Sequence, residues 1–566
     1  LNEVTANVEF LSKRFNKSSD FAIDNISFQI PKGKIVGLVG PDGSGKTTLI
    51  RLIAGLLTPS SGKITIFGLD SEKYADQIRF SSSYMPQKFG LYEDLTVEEN
   101  LNLYAELKNL PHNLKKETFE KLLHFTDLKN FLKFYAKDLS GGMKQKLGLA
   151  CALIKDPKFL LLDEPSVGVD PISRRELWKM VKALQEKEDI TVIWSTSYLD
   201  EAELCDEVIL LSNGKLLYNG HPKELTDRMK GRSFEIKDVG SDKRELLFSL
   251  LNREEVMDGV IRGNDIRICV KPNQMPKGIN AIEVKPRFED AFVDILGGGP
   301  GGYSKLKEIT SPIQNVIEKP IVANSLTKKF GNFEAVSNVN IEVNRKEIFG
   351  LLGPNGSGKT TTFKMLCGLL PPTHGSAFIN NMDLQVAPSK ARQKIGYMAQ
   401  KFSLYGNLTV KQNLSFFAGM YNLKNSEKAR AIEEMIEIFD LGDFLSSSVE
   451  MLPLGFKQRM ALACANMHHP EVLFLDEPTS GVDPVVRREF WNHINGLVSR
   501  GATIMVTTHF MEEAEYCDRI GLIYQGKLIQ CETPNKLKDL AKSEKNLNPT
   551  LEDAFIHLIE EYDGKR

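Results

Sequence analysis

Apolar and polar positions along the chain follow a layout that is run through twice. Each round opens with stretches in which apolar and polar residues alternate, the period of strands buried on one face. A short unbroken apolar run follows, IVGLVG from Ile35 to Gly40 in the first round, and predicts a strand covered on both faces. Beyond Lys46 the apolar residues recur at helical spacing, so the Gly-rich stretch between these patterns occupies a strand-to-helix turn. FLLLDEP, Phe159 to Pro165, and LFLDEP, Leu473 to Pro478, are buried-type runs that end in two carboxylates.

The repetition extends to the residues themselves. GPDGSGKTTLIRLIAGLL, from Gly40, returns as GPNGSGKTTTFKMLCGLL, from Gly353, and Lys46 and Lys359, Gln87 and Gln400, and Asp163 and Asp476 all stand 313 residues apart. A constant spacing means duplicated domains. Cys151 and Cys464 share it, as small buried hydrophobes inherited with a fold do. Each copy closes with a matching tail, FEDAFVDIL from Phe288 and LEDAFIHLI from Leu551, but there the spacing has dropped to 263, so the first copy carries roughly 50 extra residues after its core. Within that excess SFEIKDV, ELLFSLLN and IRICVK predict strand, helix and strand. The expected organisation is a first copy over residues 1–230, a small accessory α+β domain over 231–297, a flexible connector over 298–320 that opens with GGGPGG, a second copy over 321–541 and a tail over 542–566.

Composition narrows the class. A chain of 566 residues exceeds one hydrophobic core, and 42% hydrophobic with 26% charged residues excludes a disordered or fibrous chain. The net charge of −2 argues against nucleic acid as a partner. Seven cysteines, an odd number without CxxC or metal-type spacing, point to a reducing compartment and no disulfide framework. There is no run of about 18 apolar residues that could span a bilayer, so the chain forms no channel by itself. Leu1 to Phe10 does not read as a signal peptide, and Leu1 in place of Met points to a trimmed start.

The chemistry sits in the repeated motifs. In the turn after Ile35–Val39, Gly40, Gly43 and Gly45 let backbone N–H groups face an anion at the positive end of the next helix, with Ser44 and Thr48 completing the loop. Lys46 is placed to meet β- and γ-phosphates, and Thr47 supplies a hydroxyl for Mg²⁺. Gly353, Asn355, Gly356, Ser357, Gly358, Lys359, Thr360 and Thr361 repeat every part. Carboxylates at the end of a buried run need a partner, so Asp163 and Asp476 are expected to hold Mg²⁺ while Glu164 and Glu477 polarise the attacking water. Gln87 and Gln400, each after a strand, are placed to reach metal and water.

LSGGMKQ, Leu139 to Gln145, precedes the first DEP strand, and with it the motifs resemble the ABC ATPase family across nearly the whole chain. The resemblance implies an α/β fold: two P-loop NTPase domains in tandem, each with a helical subdomain, and the small accessory domain between them. It implies ATP and Mg²⁺ as cofactors and ATP hydrolysis as the activity. It also implies head-to-tail pairing, here within one chain, in which the signature of one domain closes over ATP held by the phosphate loop of the other; Ser140, Gly141 and Gly142 are then ATP-binding residues. Phe15 and Phe330 resemble the aromatic residues that stack on adenine, and Asp170 and Asp483 the dimer-contact turn. QKFGLYEDLTVEENL, from Gln87, and QKFSLYGNLTVKQNL, from Gln400, resemble the region that touches the permease in ABC exporters, although Leu91, Tyr92, Leu404 and Tyr405 can equally pack under a loop. The resemblance thus implies an exporter with two separate permease chains, and this chain peripheral on the cytoplasmic face of a bacterial inner membrane.

Two departures separate the copies. Where the family places a γ-phosphate-sensing histidine, the second copy has His509 in TTHFMEEAE and the first has Ser197 in STSYLDEAE. Conversely, the signature Ser140-Gly141-Gly142 is Pro453-Leu454-Gly455 in the second copy, and proline lacks both hydroxyl and N–H. Each lost charge-assisted hydrogen bond weakens transition-state stabilisation by roughly 1.5–3 kcal/mol. Head-to-tail pairing gathers both defects into one site. Lys359, Glu477, His509 and Gln400 then face Ser140 in a competent site, and Lys46, Glu164 and Ser197 face Pro453 in a degenerate one that binds ATP as structural glue. The competing reading is a soluble tandem ABC ATPase acting on the ribosome; such proteins resemble one another in two intact signatures and a long charged helical connector, whereas this connector is Gly-rich. DNA repair would bring zinc-binding cysteine clusters.

Overall fold

The computed structural model describes residues 4–15, 21–87, 90–302, 304–307, 317–386, 388–400, 403–544 and 546–564. The chain divides into two compact units, Leu1–Lys230 with Lys285–Gly297, and Gly231–Val284 with Gly298–Arg566.

In the first unit the unbroken apolar runs become the centre of a six-stranded sheet, in the order Lys215–Gly220, Glu207–Ser212, Ile35–Val39, Thr191–Ser195, Phe159–Asp163 and Ser82–Met85. The last five strands run parallel, and every residue of Ile35–Val39, Phe159–Asp163 and Thr191–Ser195 is buried, which is why these segments show no polar alternation. The alternating segments form a four-stranded antiparallel sheet, Ile23–Pro31, Val4–Lys13, Ser61–Ile66 and Leu69–Asp70, whose inward residues share a core with the large sheet and the helix Lys46–Ile53. The helical part follows as Val97–Leu107, His112–Thr126 and Gly141–Leu153.

The second unit repeats this plan. Its six-stranded sheet runs Ile395–Met398, Val472–Asp476, Thr503–Thr507, Ile348–Leu352, Arg519–Tyr524, Lys527–Glu532, beside the antiparallel sheet Phe333–Val343, Ile321–Phe330, His374–Ile379, Met382–Asp383. In both units the strands on either side of the phosphate-loop strand are not its sequence neighbours, so the loops at their carboxyl ends converge on one crevice.

The extra segment folds as a small antiparallel sheet in the order Val256–Arg262, Asp265–Val270, Ser233–Ile236, Ile282–Glu283, with the helix Lys243–Leu251 packed on it. Val256–Arg262 is a strand absent from the sequence reading, where Asp258 and Gly259 interrupt the apolar pattern. This sheet follows the first copy in the chain yet clusters with the second. Arg488 pairs with Asp258, and Arg244 meets Asp518 at 2.7 Å and Asn495 at 3.2 Å. Residues 285–297, read from sequence with the accessory domain, cluster with the first unit. There Phe288 and Phe292 are fully buried and the helix Phe288–Ile295 packs on Leu199–Leu204 and Pro222–Asp227. Leu551–Gly564 lies in the same way on Pro534–Leu540 and Met511–Ala514.

The connector, read as flexible over 298–320, is anchored between Gly301 and Leu306. Asn492 donates to the Gly301 carbonyl at 2.7 Å, Ser304 Oγ lies 3.2 Å from His493 Nδ1, and Leu306 is fully buried. Two polar anchors and one apolar anchor seat this Gly-rich segment, whatever its composition suggests; residues 303 and 308–316 lie outside the described residues. All seven cysteines are free, and six are buried. Among the described residues no helix is long and apolar enough to cross a membrane.

Candidate functional site

Each phosphate loop leaves its strand and enters its helix through a left-handed glycine. Gly45 and Gly358 both have φ 104°, and a Cβ there would meet the Ala22 carbonyl at 2.4 Å or the Ala335 carbonyl at 2.6 Å, so conformation and space both demand glycine. The lysines close the loops: Lys46 Nζ donates to Gly40 O at 2.7 Å and Pro41 O at 3.2 Å, and Lys359 Nζ to Gly353 O at 2.6 Å and Pro354 O at 2.9 Å. A buried ammonium, the N–H groups of a helix start, and the buried Ser44 and Ser357 hydroxyls without a hydrogen-bond partner together make a cradle suited to phosphate. Gly43 and Gly356 are exposed, while Thr47, Thr48, Thr360, Thr361 and Asn355 are half-buried.

The carboxylates stand at the ends of the adjacent strands. Thr47 Oγ1 donates to Asp163 Oδ1 at 3.2 Å, and Tyr84 donates to its other oxygen at 3.3 Å. Asp476 accepts Thr507 Oγ1 at 2.5 Å. Burial pushes both aspartates above their ordinary range. Hydroxyl and carboxylate oxygens are a hard donor set that fits Mg²⁺. Glu164 and Glu477 both take positive φ, 50° and 47°, a strained conformation outside glycine. The backbone is held there by bonds from Glu164 N to Ser195 O at 3.1 Å and from Glu477 N to Thr507 O at 3.0 Å. Gln87 Nε2 donates to Glu164 at 2.6 Å and Gln400 Nε2 to Glu477 at 2.8 Å.

From here the units differ. His509 Nδ1 lies 3.2 Å from Glu477 Oε2, and its buried Nε2 has no hydrogen-bond partner. Burial pushes Glu477 up, but His509, then Lys359 and Gln400, outweigh it and hold the carboxyl below its ordinary value. In the first unit Ser197 is buried with no partner for its hydroxyl, and Lys46 stands 4.0 Å from Glu164. There burial outweighs Lys46, and Glu164 is raised.

The signature residues lie at helix starts. Ser140 is exposed and caps Gly141–Leu153, accepting from Met143 N at 3.3 Å; Pro453 stands exposed at the start of Leu454–Asn466 with no side-chain cap. Phe15 and Phe330 are 45% and 50% exposed, so neither is core, and each has a lysine near its ring, Lys13 at 5.3 Å and Lys328 at 5.4 Å. Asp170 and Asp483 are buried N-caps of Pro171–Glu188 and Pro484–Ser499. Tyr92 and Tyr405 are exposed while Leu91 and Leu404 are half-buried. The buried Asn100 and Asn413 pin these loops through two-way bonds to the Tyr92 and Tyr405 backbones.

Sequence reasoning passed over Tyr84 and two buried glutamates. Glu201 Oε2 accepts Ser166 Oγ at 2.8 Å, Trp194 Nε1 at 2.8 Å and Thr196 Oγ1 at 2.6 Å, joining the segment after Glu164 to the one before Ser197. Glu513 accepts Thr508 Oγ1 at 2.6 Å and pairs with Arg487 at 3.5 Å. The signal was present: EAE recurs in both copies, just after Ser197 and His509.

The family description that matches is "ABC transporter", at residues 23–167 and 336–480. The chain is 53% identical over 573 residues to the probable multidrug ABC transporter ATP-binding protein YbhF of Escherichia coli, covering 100% of this chain and 99% of that one. It is 38% identical over 216 residues to the linearmycin resistance ATP-binding protein LnrL of Bacillus subtilis, 38% of this chain and 70% of the other. Among solved structures, the complex of the archaeal ribosomal stalk protein aP1 and the ribosome recycling factor aABCE1 matches with a TM-score of 0.58 over 96% of this chain and 95% of that chain; at 19% identity the likeness is one of fold alone. With two phosphate loops, each facing its own carboxylate pair, and a full-length relative of this kind, the chain belongs to the ABC transporter family as a tandem ATP-binding protein, an ATPase.

Proposed function

We propose that the chain drives an exporter: it binds and hydrolyses ATP on the cytoplasmic face of a bacterial inner membrane and powers two separate permease chains. The relative named as a probable multidrug transporter subunit supports export of drug-like compounds. The two halves close head to tail within the chain, giving one hydrolytic site and one that retains ATP as glue. What carries this reading is the contact between His509 and Glu477, with Ser197 in the corresponding place of the first copy.

Thr360, Gln400 and Asp476 would hold Mg²⁺ in the hydrolytic site, and Thr47, Gln87 and Asp163 in the other; the ion supplies charge neutralisation on the phosphates. Lys359 and the loop N–H groups fix the phosphates. Glu477, kept ionised, orients water and accepts its proton, and the unpartnered Nε2 of His509 is free to contact the γ-phosphate. Ser140 and Gly142 close the site from the other half. Phe330 stacks on the adenine, and the loops carrying Tyr92 and Tyr405 meet the permease.

The test is ATPase activity of the complex assembled with its permease. Glu477→Gln lowers turnover by more than about 100-fold, the usual contribution of a general base, while Glu164→Gln lowers it less than about 2-fold. Equal losses would overturn the asymmetry.

A further inference from the structure

A cavity of about 340 Å³ opens in the first unit between the helix Ala75–Ser81, the end of the helix Val97–Leu107, and the turn that follows Gly141–Leu153. One wall is apolar: Phe80 is 55% and Leu107 64% exposed. The other is cationic. Lys155 Nζ stands 4.1 Å over the Phe80 ring and donates to the Lys108 carbonyl at 3.1 Å. Lys108 Nζ reaches Ser83 Oγ and the Ala152 carbonyl, each at 2.7 Å. Arg79 at the rim pairs with Asp76 at 3.3 Å, which leaves the two lysines as the excess charge of the lining. Burial lowers the pKa of the Lys108 ammonium to about 8, against the Cys151 thiol and with the Lys155 charge, so an anion beside Lys108 favours its charged form.

The second copy shows what this place looks like without a cationic wall. Tyr421 and His468 take the positions of Lys108 and Lys155, and Gly396 that of Ser83. Their rings stack, with centroids 3.7 Å apart and planes 17° from parallel, and Gln393 stands at the position of Phe80. Neighbouring positions thus differ together, a self-contained aromatic stack in the second copy and two ammonium groups beside an open aromatic face in the first.

We propose that the cavity binds a small aromatic acid, its ring against Phe80 and Leu107 and its anionic group between Lys155 and Lys108. The volume lies at the lower end of small-molecule sites, and a cation beside an aromatic face suits a flat anion better than phosphate alone. This site stands apart from the nucleotide loops and does not depend on the export reading.

The full-length chain, with its nucleotide sites saturated by ADP, is titrated calorimetrically with 1-naphthoate. Naphthoate binds saturably, whereas the neutral 1-naphthalenemethanol and inorganic phosphate each bind at least about 10-fold more weakly, the loss of one charge-assisted contact or of the ring. Lys155→Gln and Phe80→Ser each weaken naphthoate by at least about 10-fold with ADP affinity unchanged, and His468→Gln leaves it unaltered. The proposal is overturned if naphthoate does not saturate, if the alcohol binds as tightly, or if both variants retain full affinity. Should a variant lose ADP binding through misfolding, the three ligands on the unaltered chain decide.

Discussion

His509 Nδ1 lies 3.2 Å from Glu477 Oε2, where the first copy has Ser197, whose buried hydroxyl has no hydrogen-bond partner, and a Glu164 raised by burial. The same buried carboxylate geometry is thus pushed in opposite directions. The imidazole is the largest influence that lowers Glu477 and has no counterpart at Glu164, whereas Gln87 and Gln400 hold their glutamates alike.

Replacing His509 by alanine removes the strongest influence that lowers Glu477 and leaves burial, which raises it. The acid limb of the pH–kcat profile then moves to higher pH, because the role proposed for Glu477 needs it ionised and it protonates earlier as pH falls. Turnover at neutral pH drops by about one to two decades, for the lost contact to phosphate. A steady-state ATPase profile of the intact complex checks both, and an unmoved limb would show that His509 does not set the ionisation of Glu477.

The site proposed to be degenerate is expected to be repairable. Ser197→His with Pro453→Ser returns the imidazole and the signature hydroxyl, and that hydroxyl also caps the helix Leu454–Asn466, which has no side-chain cap of its own, stabilising it by about 1 kcal/mol. Against this background Glu164→Gln is expected to cost at least about 10-fold in ATPase per restored site, where alone it costs little. Single-turnover ATPase assays distinguish the two.

Burial raises Glu201 from 4.5 to about 7. Between those values the folded chain binds the extra proton, so this group's contribution to stability is full below 4.5 and is lost as pH rises through about 7. Glu201→Gln keeps an acceptor for Ser166, Trp194 and Thr196 and removes the titration. Relative to the unaltered chain, the variant gains about 3 kcal/mol in going from the acid to the alkaline side of this window. Urea unfolding at several pH values reads the difference; parallel curves would contradict it.

Asp258 and Arg488 form a buried ion pair that seats the accessory sheet in the second unit. Arg488→Met leaves Asp258 without this partner and costs about 3–5 kcal/mol, and Asp258→Leu added to it recovers most of the loss, because an apolar pair needs no desolvation of charge. Thermal unfolding of the three variants checks the order.

Phosphate loops, carboxylate pairs, the signature and both departures from symmetry were legible in the sequence. Each is a contiguous stretch whose chemistry is set by neighbours along the chain, and the duplication prints every such stretch twice. The tail helix Phe288–Ile295 was legible as a repeat, but its membership of the first unit was not, since that rests on Phe288 and Phe292 burying against helices far back in the chain. Composition likewise read residues 298–320 as flexible, although Asn492 and His493 hold Gly301 and Ser304 within them. The opposite pKa shifts of Glu164 and Glu477, the capping role of Asp170 and Asp483, and the cavity beside Phe80 were decided only by the fold. Those properties depend on burial and on charges from distant segments, and distance in space is what a linear pattern leaves unstated.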